Sequence, residues 1–568
     1  MTERKHDRMV ALSTNRRQQT AMRRYRPADE VDFVVVGSGA AGGVVARELS
    51  RNGFSVVVLE QGPWLTENDF RHDEFWGGDV HPEKSLTNRE QEQPQTVRAK
   101  ETETAKREMW AQYGRIVGGG SVHFTGNFWR FPELEFEQAT RFGVPDNSSV
   151  ADWPIKYADL EPYYTKVEWE IGVSGLAGNP FEPPRSKPFP MPPMPIKSEG
   201  VLFEKGAKAV GYTPWPAPMA IASRPYRGRS GCAGCGFCIG FGCEVRAKSS
   251  SLATMVPEAV ATNRCEIRTE SYVRRIVMDD KGRTTGVQYF DRDRNEVFQR
   301  AKAVVLCANG AETPKLLLMS ATSRFPDGLA NGSGQVGRNI MFNGAGLAFG
   351  LFEHAINGWK GAVVSRIAWD TYELPKSLGL YGGGGFDFRA PITPLGAQQT
   401  VDGEPTWGSA WKKRVKDYFN NSLSAYGHTS SLPAASNRVD LDPTLKDAWG
   451  LPALRLTFAS HPEDVKLTKW FEDKAREMLV ASGAQKITGS FADPGSGGPH
   501  LLGTCRLGED PRTSVVDADH RAHEIPNLFI VDGSSFVTSG RGQPTMTIQA
   551  LAFRAADRIT QLAKTRRI

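Results

Sequence analysis

The stretch "VDFVVVGSGAAGGVVARELSRNGFSVVVLEQG", from Val31 to Gly62, constrains the fold more than any other part of the chain. Val31 to Val36 is an apolar, mostly β-branched run of the kind that forms a strand buried on both faces. Gly37, Gly39 and Gly42 follow at G-x-G-x-x-G spacing and lead into a helical pattern through Leu49. A second strand, Phe54 to Leu59, ends at Glu60, about 20 positions past the glycines. Glycines there let the backbone turn tightly and approach a pyrophosphate, whose charge sits on the helix N-terminus. Glu60 can accept hydrogen bonds from ribose hydroxyls. Strand, turn, helix, strand and acid together indicate a dinucleotide site, without separating NAD from FAD.

The rest of the chain returns to this unit. "NLFIVDGSSF" reads as a buried strand and a turn, with Asp532 at the strand's C-terminal end, where open α/β sheets bind ligands. A long helix follows it. Between lie "EIRTESYVRRIVMDDKGRTTGVQYFD" and "RAKAVVLCANG", which alternate like strands around a "DDKG" turn. The segment "HPEDVKLTKWFEDKAREMLVASG" is an amphipathic helix closed by glycine. The charged stretch "NREQEQPQTVRAKETETAKRE" reads as a solvated helix or insertion, and the Pro-rich "NPFEPPRSKPFPMPPMPIK" as a semi-rigid strap. Trp359, Trp369, Trp407 and Trp411 are core residues or a platform for a sugar ring.

With 568 residues, 39% hydrophobic and 24% charged, the chain can bury a large core, and a net charge of +6 gives no reason to expect nucleic acid. Much of the excess sits in the first 26 residues, at Arg4, Lys5, Arg8, Arg16, Arg17, Arg23, Arg24 and Arg26. This basic arm is either mobile or a strap for a partner. No apolar stretch follows the arginines, so it is not read as a signal peptide, and no run long enough to span a membrane occurs.

Four of seven cysteines crowd into "GCAGCGFCIGFGC", as Cys232, Cys235, Cys238 and Cys243. Their C-x2-C-x2-C-x4-C spacing favours an iron–sulfur cluster, with glycines freeing the backbone to wrap it. Zinc and a dithiol relay are the alternatives, and disulfides come last.

The motifs "VVVGSGAAGG", "GGGSVHFTGNFWR", "DWPIKYADLEPYY", "CANGAETPKLLLMS", "VGRNI", "HLLGTCRLG" and "NLFIVDGSSF…PTMTIQALAFRAAD" occur in this order. From about residue 30 to the C-terminus the chain resembles the glucose–methanol–choline (GMC) oxidoreductases, and among them the flavoprotein subunits of bacterial sugar dehydrogenases. The resemblance implies FAD, and an α/β Rossmann-like FAD-binding domain joined to an α+β substrate domain with an antiparallel sheet. The basic arm, read from its charge, takes 1–28, and the resemblance places the FAD-binding domain at 29–150, 251–340 and 491–568. The substrate domain falls at 151–230 and 341–490, with the cysteine loop at 231–250.

The resemblance also implies oxidation of a sugar or glycoside hydroxyl by hydride transfer to the flavin N5. His500, before "LLGTCRLG", takes the place of the family's catalytic base, a role imidazole suits near neutral pH. A histidine merely satisfied by a turn is the plainer reading of the same residue. Gln543 stands where the family has Asn or His to hold the substrate hydroxyl. FAD contacts are implied at Gly37, Gly39, Gly42, Glu60, Gly118, Gly119, Ser121, Asp532 and Gly533, and at His123, which reads equally as core. For the cysteines the resemblance favours a 3Fe–4S cluster over 4Fe–4S. It further implies a cytochrome acceptor, a small chaperone-like subunit bearing the export signal, and the periplasmic face of the inner membrane. The rival readings are an FAD alcohol oxidase using oxygen, with structural zinc in the cysteine loop, and a flavin-binding subunit without turnover.

Overall fold

Three sheets organise the protein in a computed structural model that describes residues 22–74, 85–394 and 405–568. In chain order the strands are β1 (Val31–Val36), β2 (Val56–Leu59), β3 (Gln95–Arg98), β4 (Lys106–Arg107), β5 (Trp215–Pro216) and β6 (Cys265–Arg268). Then come β7 (Tyr272–Met278), β8 (Thr284–Phe290), β9 (Glu296–Leu306), β10 (Gly344–Leu351), β11 (Arg366–Ala368) and β12 (Gly384–Arg389). The last are β13 (Ser422–Thr429), β14 (Arg438–Lys446), β15 (Pro452–Thr457), β16 (Lys486–Asp493) and β17 (Leu528–Ile530).

The first sheet carries the dinucleotide unit. Its parallel part runs β6–β2–β1–β9–β17, so strands far apart in sequence meet beside β1. The β-branched run of β1 and β2 is buried on both faces, as the sequence requires of central parallel strands. β9 joins two parts of this sheet that run in different senses. Ala301–Leu306 pair in parallel with β1, while Glu296–Arg300 pair antiparallel with β8. Helix Ala40–Arg51 leaves the glycine turn and packs on helices Met255–Ala261 and Thr545–Lys564. Residues 22–29 lie against β6. The Tyr25 amide donates to the Glu266 carboxylate at 2.8 Å, and Met22 is buried. Residues 1–21, which hold Arg4, Lys5, Arg8, Arg16 and Arg17 of the expected basic arm, lie outside the described residues.

The second sheet, β16–β10–β13–β12–β11–β5, is antiparallel throughout. Helix Pro462–Ser482 packs across it through Leu467, Phe471, Met478 and Leu479. His461 caps that helix by accepting the Glu463 amide on Nδ1, and Gly483 ends it with φ 104°. The architecture is therefore the expected α/β domain plus an α+β domain with an antiparallel sheet. One local expectation fails. The charged stretch after residue 88 forms the short β3–β4 hairpin of a third sheet, β14–β15–β3–β4, and no helix. Long-range pairing decides this: Gln95 is buried, donating to the Ala111 carbonyl and accepting the Trp110 and Ala111 amides.

No helix among the described residues is long and apolar enough to cross a membrane.

A buried ion pair ties the segment after the second glycine loop to helix Tyr157–Ile171. Arg130 grips Glu168 with two bonds, at 3.0 and 2.9 Å, and its Nη1 also donates to Tyr157 and Glu161. The Glu168 side chain has no exposed surface. Removing the cation would leave that buried carboxylate with Arg185, whose Nη1 donates to it at 2.9 Å, as its remaining cation. Arg130→Met should therefore lower stability by about 1.5–3 kcal/mol, the cost of lost hydrogen bonds to a charged group, read as a fall in the thermal or urea midpoint of the purified protein.

Candidate active site

A cavity of about 660 Å³ opens at the C-terminal ends of β1, β9 and β17 and runs to the inner face of the second sheet. It is lined by Gly37, Gly39, Glu60, Gly119, Ser121, His123, His500, Asp532, Gly533 and Gln543. Gly42 and Gly118 are not part of the lining. Gly42 sits beneath the turn, where a Cβ would fall 2.0 Å from the Gly37 carbonyl oxygen. Gly118 takes φ 97° to start the short turn Gly119–Val122. Trp359, Trp369, Trp407 and Trp411 are likewise absent from the lining. Trp369 is buried against Trp129 and Tyr372, and Trp359 stacks on Phe419, so neither is a platform for a sugar.

The residues at the sheet end fit a flavin dinucleotide. Gly39 and Gly119 face each other so closely that a Cβ on Gly119 would lie 2.8 Å from the Gly39 Cα. A Cβ on Gly39 meets nothing nearer than 3.8 Å. The backbone is thus bare toward the cavity at the N-terminus of helix Ala40–Arg51, where an anionic pyrophosphate is favoured. Glu60 accepts from the Ser38 amide (3.0 Å), the Ser38 hydroxyl (2.7 Å) and the Gly62 amide (2.9 Å), which orients its carboxylate at the cavity wall. The His123 Nε2 is buried and has no partner among the described residues. Burial, with the Lys248 charge, lowers His123 to about 4, so the ring is neutral. Asp532 is used by the fold as well: it accepts from the Ser534 and Asn309 amides and from Thr313 at 2.6 Å.

The other end of the cavity holds a base whose tautomer is fixed. Asn343 directs its Nδ2 at the carbonyls of Thr429, Ser539 and Gly540, leaving Oδ1 to face His500 Nδ1 at 2.9 Å. The proton therefore sits on Nδ1, and the Nε2 lone pair has no protein partner among the described residues. Burial, reinforced by the nearby Arg389 charge, lowers His500 to about 4, so the free base stands at neutral pH. His500 is thus not a histidine satisfied by a turn.

Four residues that sequence reading missed complete this end. Arg389, Tyr426 and His428 line the cavity, and Asp387 stands buried behind them. Asp387 accepts from Arg389 Nε at 2.7 Å and lies 2.7 Å from His428 Nε2. Burial alone would raise the Asp387 carboxyl, but Arg389 and His428 outweigh it and hold the group at about 2. These residues come from the adjacent strands β12 and β13, where only Asp387 and Tyr426 are direct register partners, and no local motif marks them.

The cysteine loop overturns its expected role. Among the described residues no three His, Cys, Asp or Glu side chains come together as a group able to hold a metal. Cys232, Cys235, Cys238 and Cys243 are free thiols, with Cys235 exposed and Cys238 buried. Burial raises Cys232 and Cys235 and pushes Cys238 up to about 12, opposing the thiolate that a metal needs. The spacing that suggested an iron–sulfur cluster is therefore not accompanied by convergent ligands. The absence of such a group among the described residues contradicts the expected 3Fe–4S or 4Fe–4S cofactor and the relay through it to a cytochrome, and structural zinc falls by the same finding.

A dinucleotide cradle and a neutral histidine share one cavity, the arrangement a flavin-dependent alcohol oxidoreductase needs. The chain belongs to the GMC oxidoreductase family: residues 31–343 and 433–552 match its two parts, each described as "GMC oxidoreductase". It is an FAD-dependent enzyme of that family acting on CH–OH groups. It is 34% identical to 2-methyl-1,2-propanediol dehydrogenase of Mycolicibacterium austroafricanum, over 94% of this chain and 96% of that one. Identity is 30% to gluconate 2-dehydrogenase flavoprotein of Pantoea cypripedii, over 94% of each chain. It is also 30% to paromamine 6'-oxidase of Streptomyces fradiae, over 92% and 90%. Pyridoxine 4-oxidase from Mesorbium loti shares the fold, with a TM-score of 0.63 at 18% identity over 93% of this chain and 99% of that one.

Gly39→Leu should fill the bare wall of the cradle. The purified variant is expected to fold yet carry little FAD, seen as loss of flavin absorbance relative to protein while its circular dichroism is kept.

Proposed function

We propose that the protein oxidises one hydroxyl of a small polyhydroxylated alcohol to a carbonyl, with dioxygen taking the electrons. The observation that carries this is His500 held as the Nδ1–H tautomer, its Nε2 lone pair left for the substrate in the cavity that the dinucleotide cradle shares. Gly37, Gly39, Glu60, Gly119 and His123 would hold FAD, which when bound supplies the acceptor for the carbinol hydride and passes the electron pair on. The hydroxyl proton goes to His500 Nε2, which makes the C–H bond easier to break. Asn343 keeps the ring oriented as its charge changes, since the oxygen facing Nδ1–H also stabilises the imidazolium. Gln543 offers an amide to the substrate oxygen. Overall, one carbinol and one dioxygen become one carbonyl compound and one hydrogen peroxide: the carbinol gives up two electrons and two protons, and dioxygen takes both.

The polar wall of Arg389, Tyr426, His428, Asp493 and Gln543 suits a substrate with several hydroxyls. It agrees with the propanediol, gluconate and paromamine in the relatives' names. Dioxygen is favoured because no metal-holding group among the described residues accompanies the cavity to take electrons singly, and the acceptor must then meet the flavin directly. An oxidase also stands among the full-length relatives.

Two measurements test this. His500→Ala should keep its FAD and lose about 10²–10⁴-fold in kcat, and kcat/KM of the unaltered enzyme should be level through neutral pH and fall only as the pH drops toward about 4. With polyols as substrates, oxygen uptake should match hydrogen peroxide formed. Reduction of a dye such as dichlorophenolindophenol without oxygen uptake would sink the oxidase reading and leave the alcohol oxidation standing.

A further inference from the structure

The wall opposite His500 contains a second imidazole of fixed tautomer, which the reaction above does not use. His428 on β13 is buried, and its Nε2 lies 2.7 Å from Asp387 Oδ2. Arg389 binds the same carboxylate through Nε (2.7 Å) and Nη2 (3.1 Å), which keeps it ionised. An ionised acceptor at that distance places the proton on Nε2. The 3.1 Å approach of Arg389 Nη2 to Nε2 then follows from both groups sharing Oδ2. Nδ1 is left as an acceptor, and the Gln543 amide nitrogen stands 3.4 Å from it.

We propose that His428 is a positioning residue that braces Gln543. Asp387 holds Nε2–H, Nδ1 takes one amide hydrogen of Gln543, and the second hydrogen is presented to the substrate oxygen. Glutamine has one more rotatable bond than asparagine, and a free Gln543 would spend much of its time out of place. The brace removes that freedom. It makes the longer side chain serviceable where the resemblance leads one to expect Asn or His. Asp387, buried behind the cavity wall, acts on the substrate only through this chain of contacts. The inference rests on the roles given above to His500 and Gln543.

The test is a double-mutant cycle on the FAD-loaded enzyme, with His428→Ala, Gln543→Ala and the pair, reading kcat, KM and flavin content. Each single change should lower kcat about tenfold, the cost of one lost or misplaced hydrogen bond. The double should be no worse than the poorer single, because both remove the same contact. Effects that multiply would overturn the proposal and show that His428 acts independently of Gln543. His428→Asn and His428→Gln give a second readout if the alanine variant sheds its flavin. The Asn oxygen overlays Nδ1 and keeps an acceptor for Gln543, whereas the Gln amide nitrogen overlays Nε2, keeps the bond to Asp387 and leaves no acceptor at the Nδ1 position. A kcat for His428→Asn several-fold above that of His428→Gln supports the brace, and equal values overturn it. Full activity in His500→Ala would instead sink the underlying reading, so the two failures are distinguishable.

Discussion

Strand β9 holds together what the sequence separates. Its C-terminal half pairs in parallel with β1 on one side and β17 on the other, drawing Val36, Leu306 and Ile530 into one layer. Each of these strands ends at the same rim, and the residues just past them, Gly37, Cys307 to Asn309 and Asp532, line the cavity. The long excursion between β9 and β17 then has one place to return to. That return puts His500 and Gln543 from the C-terminal part of the chain within the same cavity as the glycine turn of the N-terminal part. Without the parallel register of β9 there would be a dinucleotide turn and a histidine, but no shared cavity.

Buried acceptors that cannot move govern the chemistry at the far end. Neither His500 nor His428 can accept a proton cheaply from water, because burial disfavours the charged ring. What each ring can do is set by its neighbour. Asn343 is an uncharged acceptor, so His500 stays a neutral ring with a free Nε2, as the role proposed for it above requires. Asp387 is an ionised acceptor already neutralised by Arg389, so His428 is held in place with Nδ1 left as its acceptor atom. Two histidines in one cavity thus have different duties, and the difference comes from the groups behind them.

Legibility in the sequence follows how local each signal is. Gly37, Gly39, Gly42 and Glu60 could be read because turn, helix start and second strand are contiguous, and each residue's reason is satisfied within about 30 positions. The helix at Pro462–Ser482 was legible for the same reason, as its cap, stripe and terminal glycine are all local. Asn343, Asp387, Arg389 and His428 were not. They meet only when β10, β12 and β13 pair, with Gly344 opposite Thr429 and Gly385 opposite His428. The stretch at β3 was misread because its charges suggested a solvated surface, whereas pairing with β15 and the buried Gln95 decided its form.

The cysteine loop shows a stricter limit. C-x2-C spacing states how far apart thiols sit along the chain, and a metal site needs their directions to converge. Here the loop's backbone is committed elsewhere. The buried Lys248 ammonium donates to the carbonyls of Phe124, Cys238 and Phe241, and the Gly240 amide donates to the His123 carbonyl at 2.7 Å. Those contacts press Ile239 and Gly240 against the cavity as part of its wall. A loop pinned through its carbonyls to a single cation orients its peptide groups inward. Its side chains then follow the geometry of that packing, which sends Cys238 into the core beside Met219 and Ile221 and leaves Cys235 in solvent. The glycines that suggested wrapping around a cluster serve here to let the chain fold over a lysine.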